Sequence, residues 1–134
     1  MPALRAGDNE GMPQVVAVVG ASRDRHKFGN KAVRAFRDAG HTVIPINPHE
    51  TEVEGLRAYA SVLDVPGPID MATVYVQPDT VVGLLDEFER KKIPEIWLNP
   101  GADDDDVLAE AKRRGLNVIA ACSIMGAGRR PSEY

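Results

Sequence analysis

Apolar residues in this chain form two alternating patterns: short continuous runs, and longer stretches in which they recur every third or fourth position. The first is the signature of a strand buried on both faces, the second of an amphipathic helix. Gln14–Gly20 is a valine-rich run and predicts a first strand. Phe28, Ala32, Phe36 and Ala39, broadened by Val33 and Ala35, predict a helix that Gly40 closes. Thr42–Ile46 predicts a second strand, ended by Asn47-Pro48. The stretch 49–68 is irregular, although Ser61 and Asp64 have the spacing of a capping box and predict a short helix over Ser61–Val65. Ile69–Val76 predicts a third strand, and Gln77-Pro78-Asp79 opens a helix carrying Val81, Leu84, Leu85 and Phe88. Glu95–Leu98 predicts a fourth strand, ended by Asn99-Pro100-Gly101. A helix over Asp103–Arg114, with Val107, Leu108 and Ala111 inward and Gly115 as its stop, leads to a fifth strand, Leu116–Ala121. Residues 1–13 and 126–134 read as tails, which leaves one domain over 14–125.

Apolar strands separated by crossovers imply an α/β fold: a Rossmann-like, doubly wound, five-stranded parallel sheet in a single domain, with right-handed connections. Ligands of such sheets sit beyond the carboxyl ends of the strands. The chain puts Gly20, Ala21 and Ser22 after the first strand, Asn47 and Pro48 after the second, Gln77 and Pro78 after the third, Asn99, Pro100 and Gly101 after the fourth, and Cys122 and Ser123 after the fifth. Turns need such residues anyway. Their presence at all five ends favours a small-molecule site.

Composition narrows the partner. With 134 residues and 43% hydrophobic content, the chain has enough apolar material for a core without disulfides or a structural metal. The net charge of −4 and a pI near 5.3 argue against nucleic acid as a partner. No apolar run approaches the roughly 20 residues that span a bilayer, and residues 1–13 lack the apolar centre of a secretion signal. A single cysteine, Cys122, suits a reducing compartment. The expectation is a cytoplasmic protein with no membrane and no nucleic-acid partner. A protein partner or a homo-oligomer is left open.

Against that acidic background, Arg23, Arg25, Lys27 and Lys31 face a single acid, Asp24, giving the loop after the first strand a local net charge of +3. Cations near a helix N-terminus oppose its dipole. Their presence there hints at an anionic ligand. The dinucleotide fingerprint G-x-G-x-x-G is broken: Gly20 is followed by Ala21-Ser22, and Gly29 comes only after a longer loop. The acid that would hold a ribose 2′-hydroxyl of NAD at the second strand end is replaced by Asn47. A neutral residue beside a basic loop suits a nucleotide with an additional ribose phosphate, as in NADP or coenzyme A.

Val16–Ser22, Lys27-Phe-Gly-Asn-Lys31, Gly40–Pro48 and Trp97–Gly101 together resemble the small stand-alone CoA-binding domain family, which is related to the nucleotide-binding domain of the succinyl-CoA synthetase α subunit. The resemblance covers roughly residues 14 to 125. It implies a Rossmann-like sheet binding CoA or an acyl-CoA, with the diphosphate at Gly20, Ala21 and Ser22. Arg25, Lys27, Asn30 and Lys31 would assist. The adenosine would lie near Asn47, Pro48, Val76, Gln77 and Pro78, and the pantetheine arm would run towards Asn99, Pro100, Gly101 and Cys122.

No nucleophile–base arrangement and no zinc spacing stand out in the sequence. His41 falls in the turn at the edge away from the ligand, whereas His26, in the basic loop, could touch a phosphate and His49, after Asn47-Pro48, could approach a ribose or base. Asp103–Asp106 reads as the acidic first turn of a helix. The expectation is therefore binding without catalysis and without a metal. The alternatives are an NADP-binding oxidoreductase fragment and an accessory or regulatory subunit of an acyl-CoA ligase.

Overall fold

A computed structural model describes residues 13–134; of the expected tail over 1–13, all but Pro13 lies outside the described residues. Val15–Val19 forms β1, and the chain then turns into helix α1 (Phe28–Asp38) and back into β2 (Thr42–Ile46). A small antiparallel hairpin follows, β3 (Glu52–Val53) with β4 (Leu56–Arg57). Strands of two residues show no periodicity, so the sequence pattern leaves this segment irregular. The short helix expected near Ser61 is a 3-10 turn over Val62–Asp64, with the Ser61 hydroxyl accepting from Leu63 N–H. Then come β5 (Met71–Val74), α2 (Pro78–Lys91), β6 (Ile96–Leu98), α3 (Asp105–Arg113), β7 (Val118–Ala120) and the four-residue α4 (Ser123–Gly126).

Helix boundaries follow local chemistry. Pro78 occupies the first turn of α2, where its missing N–H is no loss. The Asp104 carboxylate caps α3 by accepting from Val107 N–H at 2.8 Å. The acidic run 103–106 thus serves the start of α3, and among the described residues no three His, Cys, Asp or Glu side chains gather around a metal-sized space.

The main sheet is parallel, in the order β2-β1-β5-β6-β7. Alternation along each strand sends side chains to two cores. Ala17, Val19, Ala72 and Val74 meet Val81, Leu85 and Phe88 of α2 and Val107 and Ala111 of α3. Val16, Val18 and Met71 meet Ala32, Val33 and Phe36 of α1, Val53 of the hairpin and Ile124 of α4. This is the doubly wound, Rossmann-like arrangement. Pro45 sits in β2, an edge strand, where a missing N–H removes no ladder bond between main strands. Among the described residues no helix is long and apolar enough to cross a membrane.

The chain runs outward from β1 to β2, then returns past β1 to β5. The strand order therefore reverses between β1 and β5, and a crevice opens at their carboxyl ends. Residues 126–134, which the hydropathy pattern leaves as a tail, lie against α1. Tyr134 Oη donates to the Asp38 carboxylate at 2.9 Å, Arg34 donates to the Tyr134 carbonyl at 3.2 Å, and Arg129 donates to the Asp38 carbonyl at 3.0 Å.

Candidate functional site

A cleft of about 560 Å³ opens at this reversal point, a volume within the range of small-molecule sites. The end of β1 contributes Gly20; the start of α1 contributes Lys27, Phe28 and Gly29. Tyr75, Val76 and Gln77 follow β5, Asn99, Pro100, Gly101 and Ala102 follow β6, and Cys122 and Pro131 close the far side. Among these lining residues Lys27 is the one charged group.

Two glycines shape the β1 end. Gly20 has φ +90, and a Cβ there would come within 2.9 Å of Val76. Gly29 is packed more tightly still: its Cβ would lie 2.1 Å from the Gly20 carbonyl oxygen. Only a glycine lets the first turn of α1 approach the β1 turn this closely. That turn is also electrostatically bare. Lys27 is the N-cap, its side chain makes no capping hydrogen bond, and the first turn holds no acid. Asn30 and Lys31 N–H both bond to the Lys27 carbonyl, while Phe28 and Gly29 N–H have no hydrogen-bond partner among the described residues. The cleft thus ends on free N–H groups, the positive end of an 11-residue helix and an ammonium group. This combination favours an anion.

The opposite wall is fixed by a buried polar cluster. Asn99 Nδ2 donates to Thr73 Oγ1 at 2.7 Å and to the Val74 carbonyl at 3.0 Å, and Asn99 Oδ1 accepts from Ser123 N–H at 2.9 Å. Ser123 Oγ shares hydrogen bonds with Thr73 at 2.6 Å and with Tyr75 Oη at 3.0 Å. Burial raises the pKa of the Tyr75 hydroxyl. The cluster joins the ends of β5 and β6 to the start of α4, and so sets where Tyr75, Pro100 and Cys122 stand. Among the described residues no buried side-chain nitrogen or oxygen lacks a partner.

Of the residues singled out from sequence, Gly20, Lys27, Val76, Gln77, Asn99, Pro100, Gly101 and Cys122 come together on this cleft. The others are not among its lining residues. Ala21 is buried, and its carbonyl accepts from Asn47 Nδ2 at 2.8 Å; Asn47 Oδ1 in turn accepts from His49 N–H at 2.7 Å. Asn47 therefore ties the ends of β1 and β2 together, and Pro48 beside it is exposed. Ser22 Oγ accepts from Asp24 N–H at 3.0 Å, and Pro78 begins α2. The Lys31 ammonium lies 5.3 Å from the centroid of the Phe28 ring. Asn30 is fully buried and its amide is fully engaged, with the Ser22 carbonyl, Glu54 and Arg34. Arg25 pairs with Glu54 at 3.3 Å. The hydrogen bond from Asn30, helped by Arg25, Arg34 and Arg37, holds the Glu54 carboxyl below the usual carboxylate range.

Phe28, counted in the sequence as the first inward residue of its helix, is instead 53% exposed at the cleft mouth. The periodic stripe continues through it, but the sheet that covers Ala32 and Phe36 does not reach the first helical residue. Tyr75, Ala102 and Pro131 carried no sequence signal as lining residues, since each depends on how distant turns converge. Gly29 was visible as a late glycine, although its packing against Gly20 was not. His41 accepts from Gln14 N–H at 3.0 Å, away from the cleft, and burial lowers its pKa. His26 is exposed beside Asp24. Trp97 is half-buried under α4, with its Nε1–H donating to Glu95 at 2.6 Å.

Comparison with known proteins adds an independent line. Residues 14–128 match the family model described as a CoA binding domain. The uncharacterized protein YneT of Bacillus subtilis is 31% identical over 104 residues, which is 78% of this chain and 77% of that protein. An ADP-forming acetate–CoA ligase of Methanocaldococcus jannaschii is 36% identical over 81 residues, 60% of this chain but only 12% of the ligase. The solved structure of a Thermus thermophilus protein, cell-free ID.343, superposes with a TM-score of 0.82 at 26% identity, covering 96% of this chain and 99% of that one.

Proposed function

This chain belongs to the CoA binding domain family, and we propose that it binds coenzyme A or an acyl-CoA in the cleft at the β1–β5 reversal, without chemistry of its own. The observation that carries the reading is the uncapped first turn of α1, locked against Gly20 by Gly29 and facing the cleft beside Lys27. In this reading the diphosphate lies there, over the Gly20–Ser22 turn. Arg25 and Lys31 assist at the diphosphate, while the buried Asn30 positions the loop through Ser22, Arg34 and Glu54. The adenosine reaches towards Asn47, Pro48, Val76, Gln77 and Pro78. The pantetheine arm follows Asn99, Pro100 and Gly101 to Cys122. A lining with neither acid nor histidine supports binding rather than catalysis. So does a Ser123 hydroxyl that is buried and held by Thr73 and Tyr75. In this reading the binding unit is the domain over 14–125, with Pro131 of the segment that follows completing the cleft wall.

Calorimetric titration with CoA, dephospho-CoA, NADP and NAD tests it. CoA is expected to bind most tightly, and Lys27→Ala to weaken it about tenfold, the scale of one charge-assisted contact. NADP binding without CoA binding overturns the reading in favour of an oxidoreductase fragment. A second reading, an accessory subunit of an acyl-CoA ligase, draws on the ADP-forming ligases, of which this chain resembles only a small part. Acyl-CoA ligase activity that co-purifies with the tagged chain favours it.

A further inference from the structure

The turn of the β3–β4 hairpin consists of Glu54 and Gly55, both at positive φ, 51° and 79°. Two-residue turns of this kind are made most easily by Asn-Gly, Asp-Gly or Gly-Gly. Glutamate in the left-handed region is a strained choice, and such an outlier points to a role. What glutamate adds is a carboxylate with reach. It accepts from Asn30 Nδ2 at 3.0 Å and stands 3.3 Å from Arg25 Nε and 3.8 Å from Arg37 Nη2, with its side chain 16% exposed. The Glu54 carbonyl also accepts from Arg37 Nη1 at 2.9 Å. Arg25 itself is 63% exposed. It borders a second, polar hollow of about 370 Å³, lined by Arg23, Arg25, Thr51, Glu52, Glu54 and Gly55, on the loop that also supplies Lys27 to the main cleft.

We propose that Glu54 is an internal counter-anion that a ligand's peripheral phosphomonoester displaces from Arg25, so that the hairpin sets selectivity for ligands carrying that group. The proposal rests on the reading of the cleft as a CoA site and adds a competitor built into the fold. A phosphomonoester carries about −1.5 to −2 charges at pH 7 and three strong acceptor oxygens, against the single charge of a carboxylate. It therefore wins a shared guanidinium. Glu54 is not stranded by the exchange, because Asn30 and Arg37 still hold it. A ligand lacking the phosphomonoester leaves the Arg25–Glu54 pair intact. The pair thus works against phosphorylated ligands alone, and only while Arg25 is present.

The test is calorimetry of the full chain with CoA and dephospho-CoA, on the wild type, Glu54→Gln, Arg25→Gln and the double variant. The glutamine still accepts from Asn30 but carries no charge. Glu54→Gln is expected to tighten CoA about threefold, within the range of an exposed ion pair, and to leave dephospho-CoA unchanged. Arg25→Gln abolishes the preference for CoA, and Glu54→Gln adds nothing in that background. Circular-dichroism melting checks that each variant folds. Glu54→Asn, which suits the left-handed turn, replaces a glutamine variant that does not. Equal changes for both ligands, a persistent effect without Arg25, or weaker CoA binding in Glu54→Gln each overturn the proposal. If the wild type binds the two ligands equally, the exchange is overturned and the CoA site stands. If it binds neither, both fall.

Discussion

Gly29→Ala is the smallest change that addresses the site, since it adds one methyl group. The added carbon would lie 2.1 Å from the Gly20 carbonyl oxygen, where ordinary contact begins at 3.4 Å, a shortfall of about 1.3 Å. The obstacle is backbone and cannot rotate away. A Cβ built on Gly20 would itself come within 2.9 Å of Val76 and 3.2 Å of Tyr75, so these residues stand close beside the β1 turn. The start of α1 must therefore move outward by about an ångström. Overpacking typically costs about 1–3 kcal/mol, and a backbone obstacle this close puts the cost in the upper part of that range, about 2–3 kcal/mol. Alanine returns up to about 1 kcal/mol of helix propensity over glycine, leaving a net loss of about 1–2 kcal/mol. For a chain of this size that corresponds to a fall in Tm of roughly 4–8 °C. In the proposed site, the same shift moves Phe28 and Gly29 N–H out of line with the diphosphate. A hydrogen bond to a charged group contributes about 1.5–3 kcal/mol, so CoA affinity should fall at least about tenfold. Thermal melting followed by circular dichroism reads the first effect and calorimetry the second. Gly83→Ala is the control: Gly83 lies within α2 with open space where its Cβ would stand, and this variant should melt at or above the wild type. A Gly29→Ala protein that melts with the wild type and binds CoA equally well would refute the reasoning.

Two further outcomes follow from the packing. Asn99→Leu removes the acceptor of the buried Ser123 N–H and a donor to Thr73 Oγ1 and the Val74 carbonyl, and urea unfolding should show a loss of about 2–4 kcal/mol; a change under about 0.5 kcal/mol would mean that the cluster is not a brace. His41 has a pKa lowered by burial, and its Nδ1 accepts a backbone N–H. Below about pH 6.5 the unfolded chain binds a proton there more readily than the native one. Stability should therefore fall as pH drops from that value towards the depressed native pKa, and be insensitive to His41 above it. An NMR titration of the His41 ring with a midpoint at or above 6.5 would contradict this.

The fold was legible because a parallel sheet buried on both faces needs continuous apolar runs, and β1, β2, β5, β6 and β7 are written that way. The cleft edge was legible for a related reason. Strand ends need turn residues, and Gly20, Gln77, Asn99, Pro100 and Cys122 fall where the strands stop. Contacts between distant positions were not legible. Asn30 looks like a loop-side ligand in sequence, yet it is held by Ser22, Arg34 and Glu54, and Glu54 lies in a hairpin too short to leave a pattern. Thr73 and Ser123 are ordinary small polar residues until the sheet brings them to 2.6 Å. Pro131 reaches the cleft from a segment with no periodicity, which Arg129 and Tyr134 tie to α1.

The cleft takes its walls from turns after β1, β5, β6 and β7, and no two of these strands are joined by a hairpin. Every neighbouring pair in a parallel sheet closes a long crossover before it gains a contact, so no fragment of the chain holds the site in miniature. Occupancy and foldedness are then a single equilibrium. Any molecule bound there stabilises the native state by RT ln(1 + [L]/Kd), and that increment reaches every amide whose exchange requires global unfolding. Protons in β2, which lies outside the cleft, should slow as much as those in β5. Hydrogen exchange far from the ligand would thus measure its affinity.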